Sequence, residues 1–324
     1  MHRKSVLNKS SSFNSYPLEI IDNHMKVFFT NDVEHTGMNG RTWERIAQQV
    51  DEVTLPRLLD LYDKYNVKST FFVLGQVAEL RPNIVKQIVA HHQEVGSHGY
   101  QHDRSRAFDV MSLPDQIAEL RQSKDLLEQI TGTEVVSFRA PALRVNSDTP
   151  VALREAGYKF DSSVAPQRLD AFMSYGAKGK QQWLKAPRAI YETSIDNLAR
   201  RGNSGIVEVP VSAYGVPYIG TVMRIAPYSL LPMTRRLLYW ESKRKDMPIN
   251  FLFHPNEAVE EIAEEMSTKG GQRGLKYLLS NVLRAKLKAK HLDLSAFELF
   301  ERELEFWSKH DAEFLCVRDS RTNK

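Results

Sequence analysis

The 324-residue sequence predicts an α/β fold built on a parallel sheet, and three observations lead to this prediction. From Met25 onward, short β-rich apolar runs alternate with longer segments of helical period, which is typical of a parallel sheet with crossover helices. A composition of 42% hydrophobic and 26% charged residues is too apolar for a disordered chain. At this length about three-quarters of the unfolded chain's surface can be buried, which is enough for a large core.

Each predicted element rests on a local pattern. The predicted strands lie at residues 27–30, 70–74, 94–98, 135–138, 206–209, 249–253 and 314–317. The helix before the second strand has Leu55, Leu58, Leu59 and Tyr62 on one face. Pro82 and Pro114 stand where a first helical turn tolerates proline, and Gly132 ends the long helix that Pro114 opens. Further helices are predicted at 148–156 and 294–307, so we expect the chain to return to the same core near its end.

Composition also excludes several classes of protein. The single cysteine, Cys316, excludes an intramolecular disulfide framework and any multi-cysteine metal site, so a metal would be held by His, Asp and Glu. With 44 basic and 40 acidic residues the net charge is only +4, which argues against a nucleic-acid partner. No apolar run is long enough for a membrane-spanning helix or a signal peptide, and the expected location is the cytoplasm.

We divide the chain into four parts. Residues 1–24 are a polar lead-in, 25–257 form the main α/β domain, 258–291 form a charged helical excursion, and 292–324 supply a helix and strand that pack back on the domain. The basic segment Arg284 to His291 could approach anionic phosphate or lipid headgroups, which would make the protein peripheral at a membrane. A solvated helix face is the plainer interpretation of the same residues.

Residues able to do chemistry follow the predicted strands. Parallel α/β folds place their active sites at the carboxyl edge of the sheet, because the loops converge there. The candidates at that edge are Asp32, Glu34, His98, His102, Arg139 and His254. Their shared position is more informative than any one of them.

Two histidines and a carboxylate could hold a metal. His98 and His102 are four residues apart, so both can reach one cation, and with one carboxylate they make a three-ligand site with an open position. This arrangement is typical of catalytic zinc, while iron, cobalt, nickel and manganese suit the same ligands. The alternative for Asp32 and Glu34 is a hydrogen-bonded turn after a strand. His91 and His92 are interpreted as exposed helix-end residues.

A hydrolase also needs a base and an acid. Asp32 can be the base, and Arg139 could pair with it, orient it and lower its pKa. His254 could donate a proton to a leaving amine. The alternatives are a surface arginine and a core histidine bonded to a backbone carbonyl.

Five short motifs, taken in order, resemble those of the NodB-homology polysaccharide deacetylases, a carbohydrate esterase family. They are Thr-Asn-Asp-Val-Glu at 30–34, Ser-His-Gly-Tyr-Gln-His at 97–102, Arg-Ala-Pro at 139–141, Asp-Ser-Ser at 161–163 and Leu-Phe-His at 252–254. The resemblance covers roughly residues 25–257. It implies a distorted (β/α) barrel of about seven parallel strands.

The resemblance also implies roles for the first three motifs. Asp32 corresponds to the base, and Glu34, His98 and His102 to the metal ligands. Val33 separates Asp32 from Glu34, as in an Asp-x-Glu branch that includes exopolysaccharide-locus members. Arg139 corresponds to the arginine that positions the base.

The last two motifs complete the implied site. Asp161 corresponds to an aspartate that supports the acid, His254 to the acid itself, and Leu252 to a residue lining the acetate pocket. Candidate substrate-binding residues are Leu252, Pro141 of the third motif and Tyr100. Tyr100, Tyr214 and Tyr218 could stack on sugar rings and could equally fill core, and Trp183 is a distant substitute for a family tryptophan near the fourth motif.

The leading functional hypothesis is a metal-dependent hydrolase that removes an N-acetyl group from an amino sugar, with metal-bound water as nucleophile. Since no export signal is visible, the expected substrate is an intracellular N-acetylated glycan intermediate, such as a lipid-linked one. One alternative is an allantoinase-like hydrolase of a small amide or ureide. Another is a glycan-binding protein without turnover. The sequence predicts neither the sugar nor the number of subunits.

Overall fold

A computed structural model describes residues 24–34, 41–167, 183–259 and 290–320 of the chain. Ten of the described strands form one curled sheet, and two more form a separate short ribbon. The strands are β1 Met25–Val33, β2 Ser69–Val73, β3 Glu94–Ser97, β4 Ser137–Phe138, β5 Phe160–Asp161, β6 Tyr191–Ser194, β7 Asn197–Arg201, β8 Val207–Glu208, β9 Ala213–Tyr214, β10 Val216–Pro217, β11 Ile249–Phe253 and β12 Ala312–Phe314.

Seven consecutive strands of the sheet are parallel, in the order β11-β1-β2-β3-β4-β5-β8. Strands β6 and β7 extend one edge antiparallel, and β12 pairs with the beginning of β1. The sheet curls until Ser212, beyond β8, exchanges hydrogen bonds of 3.0 and 2.9 Å with Asn250 of β11. The predicted distorted barrel of about seven parallel strands is therefore confirmed.

Helices cover the outside of the sheet, and most of them cross between parallel strands. They are α1 Arg41–Gln49, a π-helical turn Val50–Thr54, α2 Leu55–Lys64, α3 Gly75–Leu80, α4 Pro82–Ala90, α5 Leu113–Thr131, α6 Thr149–Glu155, α7 Gly220–Ile225, α8 Leu230–Lys245 and α9 Ser295–Ser308. The ends of α5 follow the sequence signals, since Ser112 caps its first turn through the amide of Asp115 and Gly132 ends it at a φ of +68°.

The two faces of β1 separate core from site. Phe29 faces outward and packs its ring against Tyr62 of α2 and Phe300 of α9. Thr30 and Asp32 lie on the opposite, inner face, because successive side chains alternate along a strand. Inside the barrel, a small apolar cluster that includes Phe28 and Phe72 fills the lower part. The carboxyl end of β1 therefore places the polar side chains of Thr30 and Asp32 above this apolar cluster.

Some elements differ from their predicted bounds or were not predicted. β4, β5 and β8 are only two residues long, and β5 was missed because two residues carry no detectable alternation. The closing strand lies at Ala312–Phe314, slightly before the predicted 314–317. Almost all of the lead-in and of the charged excursion at 258–291 lies outside the described residues. None of the helices in the described ranges is long and apolar enough to cross a membrane.

Candidate active site

The predicted site residues converge at the carboxyl edge of the sheet. Asp32 is the last residue but one of β1 and Glu34 follows the strand, while His98 directly follows β3. Arg139 directly follows β4 and His254 directly follows β11. Because these strands are neighbours in one parallel sheet, their ends bring the five side chains together.

A buried ion pair orients Asp32. Nη1 of Arg139 donates to Oδ1 of Asp32 at 2.8 Å, and both side chains are almost completely buried. A charge-assisted bond of this length fixes the carboxylate and leaves Oδ2 available on the other side. The prediction that Arg139 pairs with Asp32 agrees with this geometry, and the surface alternative for Arg139 is wrong.

Arg139 is itself held from several directions. Its Nε donates to the carbonyl of Ser162 at 2.8 Å, and Nη2 donates to the hydroxyls of Ser162 and Thr30 at 2.7 and 2.9 Å. The guanidinium lies 4.4 Å from the ring centroid of Phe72. Asn250 extends the network, since its amide donates to the Ser162 hydroxyl at 3.1 Å. This flank of the site is rigid because each polar group of Arg139 has a partner.

Three predicted metal ligands meet on the other side of Asp32. Nε2 of His98 and Nε2 of His102 lie 3.1 and 3.2 Å from the same oxygen, Oε2 of Glu34. The side-chain amide of Asn256 donates to the Glu34 carbonyl at 3.1 Å and holds the loop that follows β1. The four-residue spacing of the histidines thus places both rings on one carboxylate.

A backbone bond sets the tautomer of His98. Its Nδ1 lies 2.8 Å from the carbonyl of Arg139, which can only accept, so Nδ1 carries the proton. In neutral His98 the lone pair of Nε2 then faces the carboxylate of Glu34, and two lone pairs at 3.1 Å repel unless a proton or a cation lies between them. Metal-binding histidines commonly donate their second N–H to a carbonyl in this way.

The donor set fits a divalent cation in chemistry and nearly in spacing. Ligand atoms about 2.1 Å from a tetrahedral ion lie about 3.4 Å from one another. The contacts of 3.1 and 3.2 Å at Glu34 are a few tenths of an ångström shorter. Over the ranges that the structure describes, no group of three or more His, Cys, Asp or Glu side chains is spaced to hold a metal ion as the side chains stand. A cation would therefore require Glu34, His98 and His102 to move slightly apart.

The charges around Glu34 favour its ionised form. Burial alone would raise the pKa of this carboxyl, but the imidazoles of His102, His98 and His254 outweigh burial and hold the pKa far below its usual value. Glu34 is therefore a carboxylate at any physiological pH. An ionised oxygen is what a cation site requires.

His254 faces the same group from β11. Its Nε2 lies 3.8 Å from Oδ2 of Asp32 and 3.5 Å from Oε1 of Glu34. Burial would lower the pKa of His254, but the carboxylates of Glu257, Glu34 and Asp32 outweigh it and raise the pKa to about 9. The ring is therefore protonated at neutral pH and can donate a proton. The alternative of a core histidine bonded to a carbonyl is wrong, because no hydrogen bond reaches its Nδ1 from the described residues.

The support predicted for His254 comes from a different carboxylate. Nδ1 of His254 lies 3.7 Å from Oε1 of Glu257 in the turn that follows β11. Asp161, to which the sequence comparison gave this role, accepts instead from the hydroxyl and amide of Ser163 at 2.6 and 3.3 Å. The prediction for Asp161 therefore needs correction, since its two oxygens are used within its own motif.

Asp161 belongs to a second buried carboxyl pair. It pairs with Glu208 of the adjacent β8 in strand register, and both side chains are fully buried. Burial raises the pKa of both groups, and the neighbouring Asp161 charge raises that of Glu208 further. Burial and the proximity of the two carboxyls therefore favour a state in which the pair keeps a proton. Glu208 was not predicted as a site residue, because its strand was predicted at 206–209 but the sequence does not show that this strand pairs with that of Asp161.

The predicted substrate-binding residues occupy different environments. Leu252 is buried, two residues before His254 and on the same face of β11 as Asn250. Pro141 is buried and lies 3.7 Å from the place that a Cβ would take at Gly99, so it supports the histidine loop. Tyr100 is partly exposed at the rim, and its hydroxyl donates to Glu79 at 2.7 Å.

The other aromatic candidates divide between core and surface. Tyr218 is a core residue, because it is fully buried and accepts a hydrogen bond from Trp307 at 2.9 Å. Trp183 is buried too, whereas Tyr214 is 44% exposed and lies under Arg188. The sequence left open whether Tyr218 stacks on sugar rings or fills the core, and its burial assigns it to the core.

Comparisons with known proteins agree with this architecture. A family described as polysaccharide deacetylase matches residues 39–160, a range that contains His98, His102 and Arg139 but not Asp32 or His254. A peptidoglycan deacetylase of Helicobacter pylori is 29% identical over 164 residues, which are 50% of this chain and 54% of that protein. The chain spans about half the length, or less, of the curated relatives that it matches.

Solved structures share the fold over nearly the whole chain. A putative polysaccharide deacetylase from Mycobacterium smegmatis aligns with a TM-score of 0.53 at 18% identity, covering 96% of this chain and 97% of that one. The Puue allantoinase aligns with a TM-score of 0.60 at 11% identity, covering 92% and 90%. At such identities the likeness is one of fold. Residues 39–160 are therefore similar to the polysaccharide deacetylase family, and the chain as a whole shares the distorted (β/α) barrel fold of these solved structures.

Proposed function

We propose that the protein is a metal-dependent hydrolase that removes N-acetyl groups from the amino sugars of a glycan. One observation carries this proposal. A carboxylate fixed by a buried arginine and a protonated imidazole lie within 3.8 Å of each other, and the imidazole lies 3.5 Å from Glu34, which meets His98 and His102. A base, an acid and a set of metal ligands at one sheet edge are what amide hydrolysis requires.

Glu34, His98 and His102 would hold the cation, and zinc is the first choice for two imidazoles and one carboxylate. When bound, such an ion lowers the pKa of a water to about 7 and polarises a carbonyl oxygen. The cation, the cytoplasmic location and the lipid-linked substrate are predictions, as is the exopolysaccharide-locus branch.

Asp32 would act as the base. Arg139 occupies Oδ1 at 2.8 Å, so Oδ2 is the oxygen left to accept a proton from the attacking water. The bond to Arg139 keeps this oxygen aimed at the space between Glu34 and His254. Orientation of this kind contributes to the rate because the carboxylate is already held in the geometry that accepts the proton.

His254 would act as the acid. An amine leaves poorly as an anion, so the nitrogen must be protonated as the C–N bond breaks. Nε2 of His254 is directed to the same space as Oδ2 of Asp32, at 3.8 Å from it. The attacking water gives one proton to Asp32 and its oxygen to the acetyl carbon, and the C–N bond breaks as His254 gives its proton to the nitrogen. The products are the free amine and acetic acid, which ionises to acetate, and a proton passed from Asp32 to His254 restores both residues.

An assay of acetate release tests this function. Full-length protein is incubated with N-acetylated amino-sugar oligomers, peptidoglycan fragments and a ureide, with and without a chelator. We expect acetate from one glycan class, loss of that activity on chelation and its return with Zn²⁺. Asp32→Asn should lower the rate by roughly 10²–10⁴-fold. Asp63→Asn is the matched control, because Asp63 also contacts a histidine, His91 at 2.7 Å, but lies outside the site.

Three results would contradict the proposal. Ureide hydrolysis without acetate release would favour the allantoinase-like alternative. Glycan binding with equal, background turnover in the wild type and Asp32→Asn would favour a binding protein. Full activity after removal of all bound metal would exclude the role given to Glu34, His98 and His102.

A further inference from the structure

We infer that Glu257 is the positioning residue for the acid His254, a role that no matched family motif assigns to it. The inference rests on the proposed function. It is carried by the turn that follows β11, where the chain folds back so that Glu257 reaches the Nδ1 side of the imidazole.

Glu257 is fixed far more firmly than a surface carboxylate. Its Oε1 accepts from the Thr221 hydroxyl at 2.8 Å and from Nη2 of Arg224 at 3.2 Å. Glu257 is 6% exposed and Arg224 is 3% exposed. Arg224 offsets the cost of burying the charge of Glu257, and the two hydrogen bonds hold the carboxylate in one place.

One buried atom on each side chain of this pair has no hydrogen bond in the described part of the chain. Within the described residues, Nδ1 of His254 and Oε2 of Glu257 are both buried without a hydrogen bond. Nδ1 lies 3.7 Å from Oε1, too far for a hydrogen bond but within ion-pair distance. A small rotation of either side chain closes the gap. The N–H at Nδ1 then donates a hydrogen bond to Glu257, while the N–H at Nε2 points to the leaving nitrogen.

A glycine makes room for this carboxylate. A Cβ at Gly220, the first residue of α7, would lie 2.1 Å from Oε2 of Glu257. The small residue at that position therefore lets Glu257 lie beneath His254. Among the described residues the ion-pair contacts of His254 are with Asp32, Glu34 and Glu257, whereas Asp161 accepts from Ser163.

The test uses the leaving group as its readout. Amide hydrolysis needs protonation of the leaving amine, whereas an aryl acetate releases a stable phenolate without an acid. The ratio of amide to aryl-ester turnover therefore reports on His254 alone, and it is independent of the folded fraction. We expect Glu257→Gln to lower this ratio about tenfold to a hundredfold. Gly220→Ala should also lower the ratio of amide to aryl-ester turnover, but by a smaller factor.

Glu303→Gln is the matched control, because Glu303 is also a buried glutamate paired with an arginine, Arg235 at 2.7 Å. Its ratio should equal that of the wild type. An unchanged ratio in Glu257→Gln, or a larger loss in Asp161→Asn, overturns the inference while the proposed function stands. A wild type that hydrolyses no amide overturns both.

A second inference rests on the outer face of α8. We infer that this face docks on an anionic phospholipid surface. Three of the eleven large apolar side chains that are exposed in the described part of the chain lie here: Leu230, Met233 and Trp240, which are 42%, 51% and 57% exposed. At 100° per residue, these three side chains fall within one 80° stripe.

The charges beside this stripe are basic. Arg236, Lys243, Arg244 and Lys245 are exposed on α8, and Arg244 lies 5.8 Å from the ring centroid of Trp240. The acidic residue of the helix, Glu241, is half-buried and paired with Arg188 at 2.6 Å. Exposed Trp, Met and Leu beside Lys and Arg are the composition of a surface that inserts among anionic headgroups.

Vesicle sedimentation tests this docking. Full-length protein is spun with phosphatidylcholine vesicles that contain or lack phosphatidylglycerol. We expect binding only with the anionic lipid, weakened by salt. Arg236→Ser and Lys243→Ser should each reduce partitioning about fivefold. Trp240→Ser with Met233→Ser should reduce it further.

The matched control is Val110→Ser with Leu184→Ser, which removes two apolar side chains of 56% and 45% exposure elsewhere. This variant should sediment like the wild type. Absence of wild-type binding to anionic vesicles overturns the inference. So does a dimer in solution that Trp240→Ser dissociates, because the face would then belong to a second copy of the chain.

Discussion

The two flanks of the site differ in how tightly they are built. On the base flank, Arg139 reaches Asp32 at 2.8 Å and is bonded at each of its nitrogens. On the acid flank, His254 reaches its three carboxylates only at 3.5 to 3.8 Å, and its Nδ1 has no hydrogen bond within the described residues. The hydrogen bonds around Asp32 are complete without substrate, whereas those of His254 can form only after a small movement of the side chains.

This difference has a physical reason. A base must be oriented before water attacks. A buried arginine network provides this orientation, and its cost is already included in the free energy of folding. An acid must follow a nitrogen whose position changes as the C–N bond breaks, so long ion-pair contacts suit it better than short bonds. Stability should therefore depend strongly on the base flank and weakly on the acid flank.

The largest expected effect is on the base flank. Arg139→Met removes the only arginine near Asp32 among the described contacts and leaves a buried carboxylate without its cation. The free energy of unfolding should fall by about 3–5 kcal/mol. Urea unfolding measures this, with Arg154→Met as the control, because Arg154 is half exposed and its removal should have little effect. Equal unfolding midpoints for Arg139→Met and the wild type would contradict the comparison.

A pH effect of intermediate size arises beneath His254. Burial would raise the pKa of Glu257, but Arg224 and His254 outweigh it and lower the pKa from 4.5 to about 2. Since the folded pKa is the lower one, the stabilisation is complete above about pH 4.5 and is lost as the pH falls toward 2. It amounts to about 3 kcal/mol, of which about 2 is gone at pH 3.

Urea unfolding at pH 6 and pH 3 measures this loss in the wild type and in Glu257→Gln. The wild type should lose about 2 kcal/mol more than the variant between these pH values. Parallel losses in the two proteins would show that Glu257 is not held as an ion pair in the folded state.

The smallest effect is expected for His254. Its contacts with carboxylates are all longer than hydrogen bonds, and Glu257 keeps Arg224 and Thr221 when the ring is removed. At pH 10, above the raised pKa of about 9, the ring is neutral in the folded and unfolded protein, so His254→Ala should change the free energy of unfolding by only about 1 kcal/mol. A loss as large as that of Arg139→Met would mean that the two flanks are equally rigid.

The sequence predicted the site better than the elements that carry it. Asp32, His98, Arg139 and His254 were found because each stands just inside or just after the carboxyl end of a strand in a parallel sheet, a position that β-rich runs reveal. Strand β5 escaped prediction because two residues show no period, whereas β8 lies inside the strand predicted at 206–209. Their carboxyl pair, Asp161 and Glu208, becomes visible only through strand pairing.

Glu257 was missed for a different reason. It lies only three residues after His254, but helical spacing is meaningless until the chain is known to turn after β11. Its partners Thr221 and Arg224 lie more than thirty residues away in sequence. The assignment of Asp161 to His254 was the corresponding error, since a motif gives order along the chain and no distance.

The leaving-group dependence of two variants tests the central claim most directly. Turnover of an N-acetyl amide and of an aryl acetate is measured for the wild type, Asp32→Asn and His254→Ala. If Asp32 is the base and His254 the acid, Asp32→Asn loses both activities, whereas His254→Ala loses the amide activity by roughly 10²–10⁴-fold and keeps most of the ester activity. Loss of both activities in the same proportion in His254→Ala would contradict the division of the site into a base flank and an acid flank.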